Sequence, residues 1–396
     1  MQKPGRAAIP PSTQAYTDQQ VLDRLLRAPT AAERWTFELM DSTARVIGDL
    51  TPYVTYGNST LQIDTTRDVV ASLAVTLLGN PIDDMNSLIR PRYQLQMPDG
   101  GWIDFMLGLY NVLPAGRTIN RGHTTTQVNC ADSGQLLADA GIQYSMGIGK
   151  GQSYVQAITS VVETYGGRTP IEVEIPDSGK RLPAALSWNA GASRISIIND
   201  LLNAMNYYGA WFDERGHMRS GPIPDFETAR PSAHFDSATD SIVYQTVTTT
   251  PDFSNVYNQF LLTCDHPQQS VESNATSAGT GFFAYYENRN PASPISVPRW
   301  HPKLKQWSDS TICDQATAYA ACLTAAQVCE RIFEPITFST PAWPLSHCND
   351  IYTLHILAED EPDTDYRYIE TGWSMALGTG QQTTHTFERI SYEGVG

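Results

Sequence analysis

The stretch PAWPLSHCNDIYTLHI, residues 341–356, concentrates side chains that could do chemistry. His347, Cys348, Asp350 and His355 fall within nine residues of one another. Imidazole, thiolate and carboxylate groups are the usual protein ligands of zinc and other transition metals. A cysteine beside a histidine also offers a nucleophile with its base. Three hypotheses follow for this segment: a metal site, a cysteine nucleophile, or a loop that leads into a strand.

The spacing of these residues favours the loop. Neighbours on an extended chain point to opposite sides, so the side chains of His347 and Cys348 should diverge. His347 and His355 lie eight positions apart, which is not the i, i+4 spacing of a helical ligand pair. The sequence contains no second Cys/His cluster to supply the remaining ligands. We therefore predict no metal here.

The same stretch can be interpreted as a turn that leads into a strand. Its prolines break the chain, and Asn349–Asp350 can hydrogen-bond locally and start a strand. Alternate side chains of that strand should face opposite sides of a sheet. One face would carry Tyr352 and Leu354, and the other Ile351, Thr353 and His355.

The remaining motifs do not point to catalysis. The chain lacks the G-x-S-x-G nucleophile elbow. The string GIGKG, residues 147–151, lacks the spacing and the Ser/Thr of a phosphate loop. The neighbouring acids at 83–84 and 359–361 are typical of solvated turns rather than of the facing carboxylates of a glycosidase. We predict no catalytic, cofactor-binding or metal-binding residue, and no cofactor.

The composition excludes several classes of function. The 396 residues include 42 acids and 26 Lys/Arg, a net charge of −16. That sign opposes binding to nucleic acid or to an anionic membrane. Six cysteines are too sparse for a disulfide framework. Because neither a signal peptide nor a run of about 18 apolar residues is present, we expect a protein that is made in a cytoplasm and stays soluble.

Hydrophobic periodicity and turn signals divide the chain into five parts. They are an N-terminal arm with a short helix (1–31), a strand-rich part (32–146), an α+β module (147–236), a second strand-rich module (237–310), and a helix with three strands (311–396). In the second part, short strands separated by turns predict an antiparallel barrel or sandwich.

Several local predictions accompany this division. Thr17 and Gln20 form a capping-box pattern before the first helix. In the strand that starts at residue 33, Trp35, Phe37 and Leu39 should alternate with the side chains between them, Met40 included. A helix within residues 192–209 (ASRISIINDLLNAMNYYG) should close at Gly209, and the hairpin after it should turn at Gly216. Residues 223–240 are linker-like, whereas 241–250 (SIVYQTVTTT) have strand character.

Five segments together resemble the tail hub proteins of long-tailed bacteriophages, also called baseplate hub or minor tail proteins. They are RWTFELMDSTARVIGDL (34–50), the segment 87–110 with its Arg-Pro pair, the helix with YYGAWFDERGHMRSGP (207–222), DFSNVYNQFLLT with NRNPASPIS (252–263 and 288–296), and the closing order of helix, loop, Asn349–Asp350, strand and hairpin. Their order covers roughly residues 32–390. The family carries no catalytic motif to transfer.

The resemblance implies both a fold and an assembly. The fold would be mostly β with α+β parts: two tail-tube-like antiparallel β-barrel or sandwich domains plus smaller α+β modules. Three chains would form a homotrimeric, pseudo-sixfold annulus at the tail tip of the virion, built in the bacterial cytoplasm. Its partners would be the distal tail protein ring, the tape-measure protein, and tail fibre or receptor-binding tip proteins, with phage DNA passing through the lumen only in transit.

Two other functions stay open at this point. Abundant Trp, Tyr and acidic residues also suit a tail-associated enzyme that cleaves polysaccharides. The aromatic segment TGFFAYYENRN, residues 280–290, also suits a module that binds a host glycan without cutting it.

Overall fold

A computed structural model describes most of the chain. The described residues are 16–26, 32–82, 86–120, 123–167, 169–226, 228–237, 242–244, 246–249, 253, 256–264, 282–312, 314–332, 335–357 and 364–390. The acids at 83–84 and 359–361 lie outside them. Strands far outnumber helices, so the predicted mostly-β fold class is confirmed.

The helices and strands of the described residues are as follows. The helices are α1 (Asp18–Leu26), α2 (Ser133–Asp139), α3 (Tyr154–Glu163), α4 (Arg194–Ala204) and α5 (Gln315–Ile332). The strands up to residue 150 are β1 (Glu33–Asp41), β2 (Val46–Asp49), β3 (Thr60–Asp64), β4 (Ala71–Leu78), β5 (Ser87–Gln96), β6 (Trp102–Met106), β7 (Tyr110–Val112), β8 (Gly116–Asn120), β9 (His123–Ala131) and β10 (Met146–Ile148). The later strands are β11 (Val173–Glu174), β12 (Leu186–Trp188), β13 (Trp211–Phe212), β14 (Met218–Arg219), β15 (Ala233–Asp236), β16 (Thr248–Thr249), β17 (Gln259–Cys264), β18 (Phe282–Glu287), β19 (Leu304–Ser308), β20 (Pro335–Pro341), β21 (Ile351–His355), β22 (Asp365–Ala376) and β23 (Gln382–Arg389).

One large sheet joins the two ends of the chain. Its 15 strands run β16-β20-β23-β22-β3-β4-β9-β7-β5-β1-β2, with β21 beside β22, β15 beside β21, β6 beside β5 and β8 beside β9. The early and late strands meet where β3 pairs antiparallel with β22. Gly372 of β22 sits at that seam, where a Cβ would come within 3.0 Å of the Ile63 carbonyl oxygen. The first strand-rich part therefore continues directly into the last one.

The N-terminal elements follow the predicted local signals. The capping box forms, because the Thr17 N–H donates to the Gln20 side chain and the Gln20 N–H to the Thr17 hydroxyl, at 2.8 and 3.2 Å. Trp35 and Phe37 of β1 are buried as expected. Met40 faces the other side of the strand from Leu39, as predicted, and is buried there in a small separate cluster; the one irregularity is a shift in the pairing of β1 with β2 between Leu39 and Met40.

An aromatic cluster occupies the main core in its C-terminal half. Phe235, on β15, is fully buried, and the rings of Trp343, Tyr352 and Phe338 lie 5.0–5.6 Å from it. The prediction of a linker over 223–240 is therefore wrong for β15. That strand exists because it pairs parallel with β21, over a hundred residues later in the chain.

The α+β module has a core of its own, which runs from Leu137 to Met218. Helices α3 and α4 form as predicted, and each is capped by a serine side chain, Ser153 and Ser193. Helix α4 ends at Ala204, five residues before the predicted Gly209, because Asn206 takes the left-handed conformation (φ 60°) that terminates it. The hairpin turn at Gly216 is confirmed, with φ 84°.

A third core lies between α5 and the three-stranded sheet β18-β17-β19. Cys264, Cys322 and Cys329 are buried there as small apolar side chains, the role predicted for the two helical cysteines. The strand predicted over 241–250 is wrong in most of its described positions, because only Thr248–Thr249 pair, against β20. The five domain boundaries themselves stay a prediction.

Candidate functional site

The residues of the 341–356 stretch lie in a turn and the strand after it. The His347 N–H donates to the Asp350 carboxylate, and the Asp350 N–H donates to the His347 carbonyl, at 3.1 and 3.3 Å. Asn349 between them has φ 61°, a left-handed conformation that asparagine tolerates. The local hydrogen bonding predicted for Asn349–Asp350 is confirmed, and β21 starts directly after it.

The two faces of β21 are also as predicted. Tyr352 and Leu354 are buried in the main core, whereas Ile351 packs with Phe226 in a small cluster on the opposite side. His355 is partly exposed, with its Nδ1 3.5 Å from Asp236 of β15. His355 therefore belongs to a strand-to-strand contact.

His347 lies where three parts of the chain meet. Its ring is 5.7 Å from that of Trp211, and its Nε2 is 4.0 Å from a Glu214 carboxylate oxygen. At this junction, residues from the segments 106–110, 211–214 and 344–348 line a cavity of about 50 Å³. Burial lowers the pKa of His347, against the opposing effect of Asp350, so the imidazole is neutral at pH 7. The side chain packs the α+β hairpin against the main sheet.

Cys348 lines the same cavity but is not an activated nucleophile. Burial raises the pKa of its thiol far above the ordinary value, and the nearby carboxyls of Asp132, Asp350 and Glu370 raise it further. A reactive cysteine needs the opposite setting, with a lowered pKa beside a cation or a helix N-terminus. The thiol stays protonated at neutral pH, which removes the chemical basis of the cysteine hypothesis.

A different group of ligand-type side chains comes together on the α+β module. Within the part of the chain that the structure describes, Glu172, Glu174 and His217 place one ligand atom each within 4.8 Å of one another. His217 Nδ1 lies 2.8 Å from Glu174 and its Nε2 3.5 Å from Glu172. Glu174 also pairs with Arg219, which in turn pairs with Asp213 at 2.7 Å.

The geometry of that group is an ion-pair ladder. Glu174 and Arg219 lie on β11 and β14, two adjacent parallel strands, and Glu172 and His217 lie one residue before Val173 and Met218, so the alternating side chains share one face. Arg219 already supplies a positive charge to Glu174, and the two carboxylates approach opposite nitrogens of the His217 ring. A cation could therefore use only one imidazole nitrogen and one of these glutamates at a time. The alternation Glu-Val-Glu and His-Met-Arg was the sequence signal that was missed.

A buried ionisable pair lies inside the main core. His385 and Glu370 are 0% and 1% exposed, and His385 Nδ1 is 2.5 Å from a Glu370 oxygen. His385 Nε2 is 2.9 Å from the Thr340 hydroxyl, which itself donates to the Pro341 carbonyl. Burial raises the pKa of Glu370, and His385 opposes that rise. The pair is held in the core.

The charged outer face of the first strand-rich part carries a second network. The Arg92 guanidinium, on β5, pairs with Glu38 of β1 at 2.7 Å and with Asp104 of β6, and Gln94 also donates to Asp104. Asp104 is 1% exposed, and its two oxygens accept the hydrogen bonds from Arg92 and Gln94. The network ties three neighbouring strands together and is structural.

The comparisons with known proteins identify fold relatives. No family model matches the sequence, and no curated protein does. Among solved structures, a tail protein from Neisseria meningitidis has a TM-score of 0.62 at 10% identity, over 90% of this chain and 98% of that one. The 43 kDa tail protein of prophage MuSo2 from Shewanella oneidensis gives 0.60 at 9% identity, over 90% and 99%. A chain of the Francisella PdpA–VgrG complex gives 0.54 at 8% identity, over 96% and 61%.

These similarities establish a shared fold. They run through nearly the whole chain, from the first strand-rich part to the last hairpin. Within the described residues, none of the helices has the length and apolar character needed to cross a membrane. This chain thus has the fold of phage and prophage tail proteins.

Proposed function

We propose that this chain is a structural component of a phage tail tip: a homotrimeric hub that extends or closes the tail tube. The observation that carries the proposal is the likeness to the Neisseria tail protein, which covers 90% of this chain and 98% of that one. In this role the hub links the distal tail protein ring, the tape-measure protein and the host-binding tip proteins. It is made in the host bacterial cytoplasm and carries out no catalysis.

The charge of the chain supports the passage of DNA through a lumen. Basic contacts to phosphate would retain DNA by releasing counterions. A subunit with a net charge of −16 offers the reverse, because an acidic wall repels the polyanion. DNA is then a passenger in transit and not a ligand.

The division into five parts supports a subunit with two barrel-like domains. The α+β core, from Leu137 to Met218, fits the module at 147–236. The third core, from Phe260 to Cys329, joins part of 237–310 to helix α5 of 311–396, whereas the strands after α5 lie in the main sheet with those of 32–146. The arm at 1–31 and the first domain at 32–146 make up the remainder.

Exposed apolar side chains on edge strands support the assembly. Val46 and Ile47 are 56% and 60% exposed on β2, which ends the large sheet. Ile119 is 74% exposed on β8, a strand that pairs only with β9. Edge strands with exposed apolar residues favour association with another chain. We assign them to contacts between subunits.

Mass measurement tests the proposal. Three copies of the 43.7 kDa chain predict a particle of about 131 kDa in native mass spectrometry or sedimentation. Ile47→Lys should weaken the trimer, whereas Tyr144→Lys, at an 82%-exposed position in the α+β module, should leave it intact. A stable monomer that persists when the tail partners are added contradicts the proposal.

One observation favours a second candidate, the glycan-binding module. Phe283 and Tyr285 are 46% and 43% exposed, two residues apart on β18, so their rings share one open face of a three-stranded sheet. A glycan array on the assembled protein tests this, with Phe283→Ala and Tyr285→Ala as matched variants. Absence of binding by the wild type removes this candidate.

A further inference from the structure

A cleft lies between the α+β module and helix α5. It has a volume of about 720 Å³ and is bounded by the segment 178–183, by the end of α4 with the turn after it, and by the first turns of α5. The cleft has fixed walls, because Asn206 and Thr324 hydrogen-bond across the two units at 3.0 Å, as do Asn203 and Asp309. Its size is in the range of ligand sites.

Two cations in this cleft have no acidic partner among the residues that the structure describes. The Lys180 ammonium donates to the Met205 carbonyl, and the Arg181 guanidinium to the Gly151 carbonyl, both at 3.1 Å. Neither has a described carboxylate within salt-bridge distance. Two uncompensated positive charges in one cleft stand out in a chain with a net charge of −16. They leave a local positive potential that favours an anionic ligand.

The carboxylate on the opposite wall, that of Asp314, is held at the start of its own helix and makes no ion pair with Lys180 or Arg181. Both oxygens of Asp314 are engaged at the start of α5, where one accepts the Thr317 N–H at 2.8 Å and the other accepts the Thr317 hydroxyl at 2.7 Å. Its charge also faces the positive end of the helix dipole. Lys180 and Arg181 therefore remain available to a ligand.

The rest of the cleft is largely apolar. Ala316 and Ala320, one turn apart on α5, line it together with Met205, Tyr207 and Ile223. The small alanines leave room for apolar side chains of a ligand to pack. A free inorganic anion would leave these walls unfilled. A nucleic acid would meet only two cations within an acidic chain. A peptide with both acidic and apolar side chains satisfies both features.

We propose that this cleft binds an acidic peptide segment of a partner protein. Its carboxylates pair with Lys180 and Arg181, and its apolar side chains pack against Ala316 and Ala320. Charge-assisted pairs of this kind fix the register of a peptide, and the apolar contacts contribute most of the affinity. This inference goes beyond the hub function and does not depend on it, because it concerns a site within one subunit.

Selection from a random dodecapeptide library on the full-length protein tests the proposal. The enriched peptides should be net acidic with apolar residues. Their affinity, measured by fluorescence anisotropy, should fall about tenfold or more in Lys180→Gln/Arg181→Gln, since each charged hydrogen bond contributes more than a neutral one. Raising the salt concentration should weaken binding to the wild type. Lys150→Gln, an exposed cation outside the cleft, is the matched charge control and should bind like the wild type.

A second variant separates loss of charge from loss of fit. Ala316 is exposed on the first turn of α5, so Ala316→Trp fills the cleft without disturbing a core and should also abolish binding. The proposal is overturned if the enriched peptides are neutral or basic, or if they bind the double variant as tightly as the wild type. Displacement by inorganic phosphate alone, or equal binding of a DNA oligonucleotide through Lys180 and Arg181, would overturn it in favour of a small-anion or a nucleic-acid site.

Discussion

Replacing Phe235 by alanine should destabilise the main core and leave the α+β core intact. The ring is 1% exposed, and five other aromatic rings, of Phe338, Trp343, Tyr352, His385 and Phe387, have centroids within 6.1 Å of it. Removing a buried phenylalanine costs about 3–5 kcal/mol, from lost transfer free energy and from the cavity left behind. Because rings on every side already touch one another, the site cannot collapse easily, and we expect the upper half of that range.

Hydrogen exchange measured by mass spectrometry locates this loss. Protection of the amides of β15, β21 and β23 should fall by a factor of about a thousand, which is the fold-change for about 4 kcal/mol. Amides of α3 and α4 should keep their protection, because their side chains pack in a separate core. Unfolding in urea, followed by fluorescence, gives the same cost as a free energy.

The matched control is Phe283→Ala. Phe283 is 46% exposed on β18, so its removal should cost about 1 kcal/mol or less. The reasoning fails if Phe235→Ala costs no more than this control. It fails equally if protection is lost uniformly over β15, α3 and α4, because the cores would then unfold as one unit.

Three further predictions follow from the sites described above. The double variant His347→Ala/Cys348→Ser should assemble like the wild type, because these side chains pack a junction and bind no ion. Metal analysis of the wild type should find no zinc. Loss of assembly in the variant together with zinc in the wild type would restore the metal hypothesis. Burial raises the pKa of Asp132 to about 7, above its value in the unfolded chain, so the native state binds the extra proton. The free energy of unfolding should therefore fall by about 4 kcal/mol as the pH rises from 4 to 8. A urea-unfolding series in which Asp132→Asn shows the same decline would contradict this. Glu370→Ala should lower the free energy of unfolding by about 3–5 kcal/mol, because it leaves His385 buried without its partner. The double variant Glu370→Leu/His385→Phe should recover most of that loss. Equal costs for the two variants, measured by urea unfolding, would argue against a paired charge.

The features that the sequence predicted correctly are set by neighbours along the chain. The capping box of Thr17 and Gln20 and the apolar faces of α3 and α4 depend on residues three or four positions apart. The alternation in β21 depends on residues two apart. Each of these signals survives because tertiary packing agrees with the local preference.

The features that the sequence missed are set by distant partners. Ala233–Asp236 is short and flanked by polar residues, and it becomes a strand only because Phe235 pairs beside Leu354. The irregular pairing of β1 with β2 between Leu39 and Met40, and the burial of Met40 beside Leu88 and Leu109, depend on other strands, which local periodicity does not encode. The end of α4 moved from Gly209 to Asn206 because asparagine also adopts the left-handed conformation.

The sequence indicated how the residues of the 341–356 stretch are arranged, but it did not reveal the group of charged side chains on the α+β module. The spacing of His347, Cys348 and His355 argued against a shared ligand set, and the structure places the two histidines beside different carboxylates, Glu214 and Asp236; the absence of a metal stays a prediction. The ladder of Glu174 and its neighbours needed the parallel pairing of β11 with β14, about forty residues apart, to be known first. Clusters built across strands are invisible until the register is known.

The pairing of β3 with β22 fixes the position of the early strands relative to the late strands. Early and late strands share one hydrogen-bonded sheet there, and the main core draws residues from Val21 to Phe387. Gly372 permits the close approach, since a Cβ would meet the Ile63 carbonyl at 3.0 Å, and a backbone atom inside a sheet cannot move aside cheaply. The two strand-rich ends are therefore held in one fixed relation by a single sheet and a single core, whereas the α+β module and the α5 sheet have cores of their own.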